Sequence, residues 1–264
     1  MRIKFTKMHG LGNDFVVIDN MAGDIKLTKE QIVFLCDRHM GVGADGVILV
    51  ESSDQADTFM NYINSDGSVV EMCGNGIRCI AKFFQDNFDK NKKNFKIATR
   101  AGVKEINYLD DETYSVDMGK PVFTHVDFPD KPTEIEGMLF NFVSVGNPHA
   151  VAFVENLNDY DISVIGPKVE NNSFFPNKIN VHLVQEINKS EFKMKIWERG
   201  CGVTLASGTS SSAVYALARK YKNAEKEVTI HLPGGDLFLS ENEKGEIIMR
   251  GPAVRVFSAM IEVK

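Results

Sequence analysis

The chain repeats itself. Set against itself at the constant shift that carries Gly12-Asn13 onto Gly146-Asn147, it also brings Val47, Leu49 and Val50 onto Val181, Leu183 and Val184, and Met60 onto Met194. The same shift carries Asn64 onto Glu198, Cys73 onto Ser207 and Gly74 onto Gly208, with no gap from Gly12 to Gly74. Two copies are too few for a solenoid, so the expected object is one supersecondary unit duplicated and packed face to face. Extended runs are predicted in the first copy at KFTKMHG, DFVVID, GVILV and FMNYI, followed by a helix that begins just after Cys73 (GNGIRCIAKFFQDNF). The second copy answers with AVAFV, FKMKIWE and a helix from Ser207 (GTSSSAVYALARKYKN). Further strand candidates follow each helix, FKIATRAGVKEINYL and EVTIHLPGGDLFLSEN. The fold class is therefore α+β: two similar pseudo-symmetric lobes, each a curved, mostly antiparallel sheet around a central helix, with an active site in the cleft between them. The boundary is expected near Met118-Gly119-Lys120-Pro121, giving lobes 1–118 and 119–264, with the last strand available to pack back on the first lobe.

Chemistry concentrates at the two helix starts. Cys73 precedes Gly74-Asn75-Gly76, and a helix beginning there turns unpaired amides and the positive end of its dipole toward the thiol. Such a place favours the thiolate, and the same amides can hold a carboxylate. A cysteine filling space beside a tight turn would look the same in isolation, but the second copy puts Ser207-Gly208-Thr209 at the equivalent turn. Serine is also a preferred N-cap, and Ser210, Ser211 and Ser212 are able to cap or face solvent. Two opposed proton carriers around a bound amino-acid carboxylate are what inversion at an α-carbon requires, one for each face.

Composition closes off other classes. A length of 264 residues suits two lobes, and 43% hydrophobic with 25% charged residues is ordinary for a globular protein. A formal net charge of -6 gives no electrostatic reason to seek nucleic acid. No secretory leader pattern opens the chain, and no run approaches the roughly 18 apolar residues of a membrane span. A cytoplasmic location without membrane association is expected. Cys36, Cys73, Cys79 and Cys201 lack zinc-cage spacing, so no metal is expected and Cys36, Cys79 and Cys201 read as structural thiols. There is no pyridoxal lysine motif or dinucleotide fingerprint, and GCGVTLASGTSSS lacks the lysine of a P-loop.

From end to end the residues resemble the diaminopimelate epimerase family. The segments KMHGLGNDFVVID, DRHMGVGADGVILV, NSDGSVVEMCGNGIRC, VSVGNPHAVAFVE, FPNKINVHLV and WERGCGVTLASGTSSSA follow one another in that family's order. The resemblance implies that diaminopimelate is converted between its LL and meso forms, for lysine and peptidoglycan precursor synthesis, by a homodimeric, cytoplasmic isomerase that uses no cofactor. It implies that Cys73 is one of two acid/base thiols and that Ser207 stands where the other would be, with His149 and Glu198 tuning their protonation. The amides of Gly74, Asn75, Gly208 and Thr209 would hold the reacting carboxylate, and Asn13 would line the site. Asn64, Asn147, Asn180 and Arg199 would take the distal carboxylate, with Glu198 near the distal ammonium; a guanidinium suits a bidentate carboxylate contact.

Three positions depart from the family pattern. A serine hydroxyl is far less acidic than a thiol and carries protons poorly at neutral pH, so Ser207 is expected to leave the chain near-inactive as an epimerase. A Cys-to-Ser variant suited to trapping a complex, a natural relative with altered chemistry and an inactive chain would each present it; one atom changed inside a fitting motif favours the first. Val203 stands where the family usually has glutamate, and Gly46 replaces a polar residue of some members. Val203 keeps a racemase of another amino acid in view, and the missing thiol keeps in view a non-catalytic carboxylate-binding relative.

Overall fold

The computed structural model describes residues 1–109 and 111–263 and divides into two compact units, Met1–Val116 with the chain from Gly251 onward, and Asp117–Arg250. In chain order the first unit contributes β1 (Arg2–Gly10), β2 (Asn13–Asn20), α1 (Lys29–Cys36), β3 (Gly46–Glu51) and β4 (Thr58–Asn64). It continues through α2 (Gly74–Asn87), β5 (Asn94–Thr99), β6 (Gly102–Tyr108) and β7 (Thr113–Gly119). The second unit runs β8 (Thr133–Ile135), β9 (Met138–Ser144), β10 (Pro148–Val154), α3 (Ile162–Glu170), β11 (Asn180–Asn188) and β12 (Glu191–Glu198). Then come β13 (Gly202–Val203), α4 (Gly208–Tyr221), β14 (Val228–Leu232), β15 (Gly235–Glu241) and β16 (Ile247–Pro252), before β17 (Val254–Glu262) returns to pair antiparallel with β1.

The duplication is visible in the strand directions. In the first unit β1 and β2 are antiparallel, β2 and β3 parallel, β3 and β4 antiparallel, β4 and β5 parallel, and β5 and β6 antiparallel. β9, β10, β11, β12, β14 and β15 repeat that alternation pair for pair. A parallel neighbour cannot be reached by a hairpin and needs a crossover. Each unit therefore spends its helices there: α1 and α3 cross between the first parallel pair, α2 and α4 between the second. The class is the α+β one read from the sequence, mostly antiparallel with two parallel steps per unit.

α2 and α4 are the central helices. From Gly74 to Ala81 every residue of α2 is buried, and α4 is buried through Ala218 apart from Thr209. The serines read as capping or solvated are therefore core residues. Ser211 and Ser212 solve this by donating their hydroxyls to the carbonyls of Ser207 (2.9 Å) and Gly208 (2.8 Å), one turn back. The smaller helices α1 and α3 were not among the elements expected from the sequence, although both carry cap signals. Thr28 and Gln31 form a reciprocal capping box on α1, and Asp161 accepts from the amide of Ser163 at the start of α3.

α3 packs closely on the single tryptophan of the chain. A Cβ at Gly166 would lie 2.4 Å from Cγ of Trp197, so only glycine lets the helix approach β12 this far. Overpacking of this kind costs about 1–3 kcal/mol. Gly166→Ala is expected to lower the unfolding free energy measured in urea by that amount and to change the Trp197 emission of the folded protein; an unchanged unfolding free energy and spectrum would show that α3 does not bear on Trp197.

Candidate active site

Strand direction gathers polar residues at one end of each unit. Asn13 opens β2, Gly46 opens the parallel β3, Asn64 closes the antiparallel β4, and Cys73 caps α2. In the second unit Asn147 precedes β10, Asn180 opens β11, Glu198 closes β12, and Ser207 caps α4. Alternating directions put all four of these chain points at the same end of their own sheet.

The two caps have one geometry. The Cys73 sulfur accepts from the amide of Gly76 at 3.5 Å, and the Ser207 hydroxyl accepts from the amide of Ser210 at 3.4 Å. Each capping residue is extended, with φ −137° and ψ 120° at Cys73 and φ −146° and ψ 125° at Ser207. Cys73 is partly exposed while Ser207 is buried, and the Ser207 and Thr209 hydroxyls lie 3.4 Å apart. The first-turn residues Gly74, Asn75 and Gly208 are buried and Thr209 is half-buried.

Around Cys73 a chain of side-chain amides runs from a cation to an anion. Arg78 donates to Asn75 Oδ1 (2.9 Å), Asn75 Nδ2 donates to Asn13 Oδ1 (3.2 Å), and Asn13 Nδ2 donates to Asp45 Oδ2 (2.7 Å). Head-to-tail polarity fixes the sense of both amides, and it leaves Asn13 Oδ1 facing Cys73 Sγ at 3.5 Å. Arg78 is fully buried and also donates to the carbonyls of Gly74 and Pro252, so it ties the start of α2 to the returning C-terminal segment. Desolvation holds its guanidinium down at about 10. Neither Arg78 nor Asp45 was singled out from the sequence; an arginine inside a helical pattern reads as surface until its burial is known.

Asp45 belongs to a wider ionic cluster. Arg38 grips Asp14 with both terminal nitrogens (3.0 and 2.8 Å) and reaches Asp45 at 2.8 Å, while Lys7 donates to Asp14 at 2.6 Å and to the carbonyl of Gly43. Asn64 sits one residue from this cluster, since the amide of Ser65 donates to the carbonyl of Asp45 (3.0 Å); its own side chain donates to Ser68 Oγ at 3.3 Å. Gly46, read as a departure, has a local cause: a Cβ there would lie 2.5 Å from Tyr62 Cε2 and 2.6 Å from the carbonyl of Ile63.

In the second unit Asn180 is buried and used at both ends, donating to the carbonyl of Pro148 (2.8 Å) and accepting from the amide of Arg199 (3.0 Å). Arg199 is exposed and donates to the carbonyl of Asn177 at 3.1 Å. The bend that carries Glu198 and Arg199 is braced by buried Glu170, which accepts from Trp197 Nε1 (2.8 Å) and from the amide of Gly200 (3.0 Å). His149 is fully buried. Its Nε2 meets Asn147 Oδ1 at 2.7 Å and its Nδ1 meets His182 Nε2 at 2.9 Å, so both ring nitrogens are already occupied. Burial first, then His182 and Arg199, holds its imidazole well below the usual histidine value and therefore neutral. Val203 is exposed on β13, and nothing in its surroundings requires a valine. Among the described residues no group of histidines, cysteines and carboxylates is arranged to hold a metal ion.

Comparison with known proteins adds the lineage. The diaminopimelate epimerase family model matches residues 5–124 and 141–256. The chain belongs to the diaminopimelate epimerase family. It is 40% identical to a diaminopimelate epimerase of Acetivibrio thermocellus over 99% of both chains, and 41% identical to diaminopimelate epimerase 1 of Nostoc sp. over 99% of this chain and 100% of that one. A diaminopimelate epimerase of Methanococcus maripaludis matches at 40% identity over 99% of this chain and all of its own. Among solved structures, a hydroxyproline epimerase from Agrobacterium vitis superposes with a TM-score of 0.72 at 13% identity, covering 98% of this chain and 91% of that one. A PhzF-family phenazine biosynthesis protein of Bacillus anthracis gives 0.73 at 17% identity over all of both chains. At such identities the fold alone is shared. The shared fold is the one whose strand order repeats from the first unit to the second in this chain.

Two outcomes follow for this site. Burial pushes the thiols of Cys36 and Cys79 up to about 12, so both stay protonated at neutral pH. Iodoacetamide at pH 7.5 is expected to label Cys73 and exposed Cys201 well before either, as peptide mapping would read; labelling of Cys79 alongside Cys73 would contradict the burial argument. At Asp14, burial works to raise the carboxyl, but the hydrogen bonds and charges of Arg38 and Lys7 outweigh it and hold it at about 2, against 3.8 for a free carboxyl. A depressed value means stabilisation that is full above the unfolded pKa and is lost as pH falls through the folded one. Stability should therefore fall between about pH 4 and about pH 2, and Asp14→Asn should lessen that fall; equal slopes for the two chains would refute the assignment.

Proposed function

We propose that the protein is an isomerase acting at the α-carbon of diaminopimelate, interconverting the LL and meso forms by proton transfer without a cofactor. The observation that carries this reading is the doubled helix-start geometry, a sulfur and an oxygen capping equivalent turns, in a chain of this family. Cys73 is the acid/base group of one face. Ser207 stands at the place of the other and makes the chain a slow epimerase, because a hydroxyl neither gives nor takes a proton readily at neutral pH.

The amides of Gly74, Asn75, Gly208 and Thr209 bind the reacting carboxylate and stabilise the charge that builds at the α-carbon as the proton leaves. Asn13 orients the Cys73 side. Asn64, Asn147, Asn180 and Arg199 recognise the distal carboxylate, and Glu198 the distal ammonium. A neutral, doubly hydrogen-bonded His149 supports this by polarity and position, not by carrying a proton itself. Homodimer formation and a cytoplasmic place in lysine and peptidoglycan precursor synthesis complete the reading. It is favoured over a racemase of a shorter amino acid because Arg199 and Asn180 would then have no second carboxylate to serve.

The test uses the chain beside its Ser207→Cys substitution, each incubated with LL-diaminopimelate in deuterated buffer. Cysteine at this position is expected to raise LL-to-meso conversion by at least about a hundredfold, the scale of a positioned acid/base group. The serine chain should be limited to exchange at the face served by Cys73. If neither chain exchanges the α-proton of diaminopimelate, or the substituted chain turns over another amino acid instead, the substrate assignment is lost.

A further inference from the structure

His182 has no assigned part, yet it occupies a costly place. It is fully buried on β11, its Nε2 meets His149 Nδ1 at 2.9 Å, and its Nδ1 is buried with no hydrogen-bond partner among the described residues. Two buried imidazoles joined to one amide make a chain whose protons can be counted. Asn147 Oδ1 can only accept, so at 2.7 Å the His149 Nε2 must carry a proton and donate it. In a neutral ring Nδ1 is then a bare lone pair, which accepts from Nε2–H of His182. That leaves His182 Nδ1 as an unprotonated acceptor, the one ring nitrogen without a partner.

The reversed arrangement is worse. With the Asn147 amide turned round, Nδ2 would donate to His149 Nε2, His149 would donate from Nδ1 to His182, and His182 would carry its proton on Nδ1. That buried N–H would have no acceptor, and orphaned donors of this kind are rare in folded proteins. Burial keeps the pair neutral, lowering His182 to about 3 and His149 well below its ordinary value, so a doubly protonated ring offers no escape.

We propose that His182 is a positioning residue which, through His149, locks the Asn147 amide with Oδ1 toward the histidines and Nδ2 free as a donor to the distal carboxylate of diaminopimelate. This rests on the substrate reading given above. The repeat sharpens it. Asn13 is the equivalent residue of the first unit, and Asp45 holds it in the opposite sense, by its Nδ2, so that its oxygen faces Cys73. One asparagine is set to accept and its counterpart to donate, and the neighbour that differs decides which.

The test has two parts, both on the chain as it stands. In the 15N-histidine-labelled protein at pH 7, two-bond proton–nitrogen spectra should show His149 and His182 each protonated at Nε2 and bare at Nδ1. A proton on His149 Nδ1, or an imidazolium at either ring, would overturn the proposal whatever the variants do. Calorimetry with diaminopimelate and with lysine, which lacks the distal carboxylate, then reads the consequence. His182→Phe should weaken diaminopimelate by about tenfold, the scale of one hydrogen bond to a charged group, and lysine much less. His182→Gln, whose amide can still donate to His149 Nδ1, should restore most of that loss. Equal loss for both ligands, no loss, or no rescue by glutamine would assign His182 to packing alone. If the unsubstituted chain binds no diaminopimelate, the substrate reading fails by itself, and the tautomers still decide whether the amide is locked.

Discussion

A helix begins with amides that no helical carbonyl can reach, and in each unit of this protein the first turn of the central helix is buried apart from Thr209, so bulk water is a poor source of the missing acceptors. The chain must bring its own. It does so with the side chain of the residue before the helix, a sulfur at Cys73 and an oxygen at Ser207. Because α2 and α4 each cross between parallel strands, α2 starts at the end of its unit where Asn13 and Asn64 lie, and α4 starts at the end of its own unit where Asn147, Asn180 and Glu198 lie. The requirement to cap a buried helix and the gathering of polar groups at one end of each unit are thus the same fact of topology.

On that symmetric frame the two units carry different chemistry. Asn64 answers to Glu198, Gly46 to Asn180 and Cys73 to Ser207, so the second unit holds a carboxylate and an extra amide where the first has an amide and no side chain. Each difference is anchored locally. Tyr62 and the carbonyl of Ile63 leave no room for a side chain at Gly46, whereas Asn180 fits because its amide bridges Pro148 and Arg199. The supporting charges differ too. Arg78 and Asp45 polarise the amides beside Cys73, while a neutral histidine pair serves Asn147.

The sequence disclosed the frame better than its supports. The constant shift, the strand runs and both central helices could be read directly, because repeat and hydrophobic period are properties of neighbours along the chain. α1 and α3 leave little mark on the sequence beyond the cap signals of Thr28 with Gln31 and Asp161 with Ser163, because each helix is short and its apolar period correspondingly faint. The buried serines of α4 misled for the opposite reason, since their polarity suggested solvent and only the fold turns their hydroxyls back onto carbonyls. Arg78, Asp45, Glu170 and His182 carried no readable mark at all. Their partners lie far along the chain in several cases, as with Arg78 and Pro252 or Trp197 and Glu170, and no local pattern encodes such pairs.

The serine at position 207 separates what the fold asks from what the chemistry asks. As an N-cap, serine ranks among the best residues, and its hydroxyl accepts from Ser210 much as the thiol of Cys73 accepts from Gly76. Nothing in the start of α4 is therefore penalised by having oxygen there. The proton chemistry has no such tolerance, because the hydroxyl's acidity lies far from neutral pH. On the proposed reading, in which Ser207 holds the place of a second thiol, stability is accordingly a poor witness to oxygen at this position. Inversion at the α-carbon, for which that reading needs a second proton carrier at position 207, is the property in which this single atom would be felt.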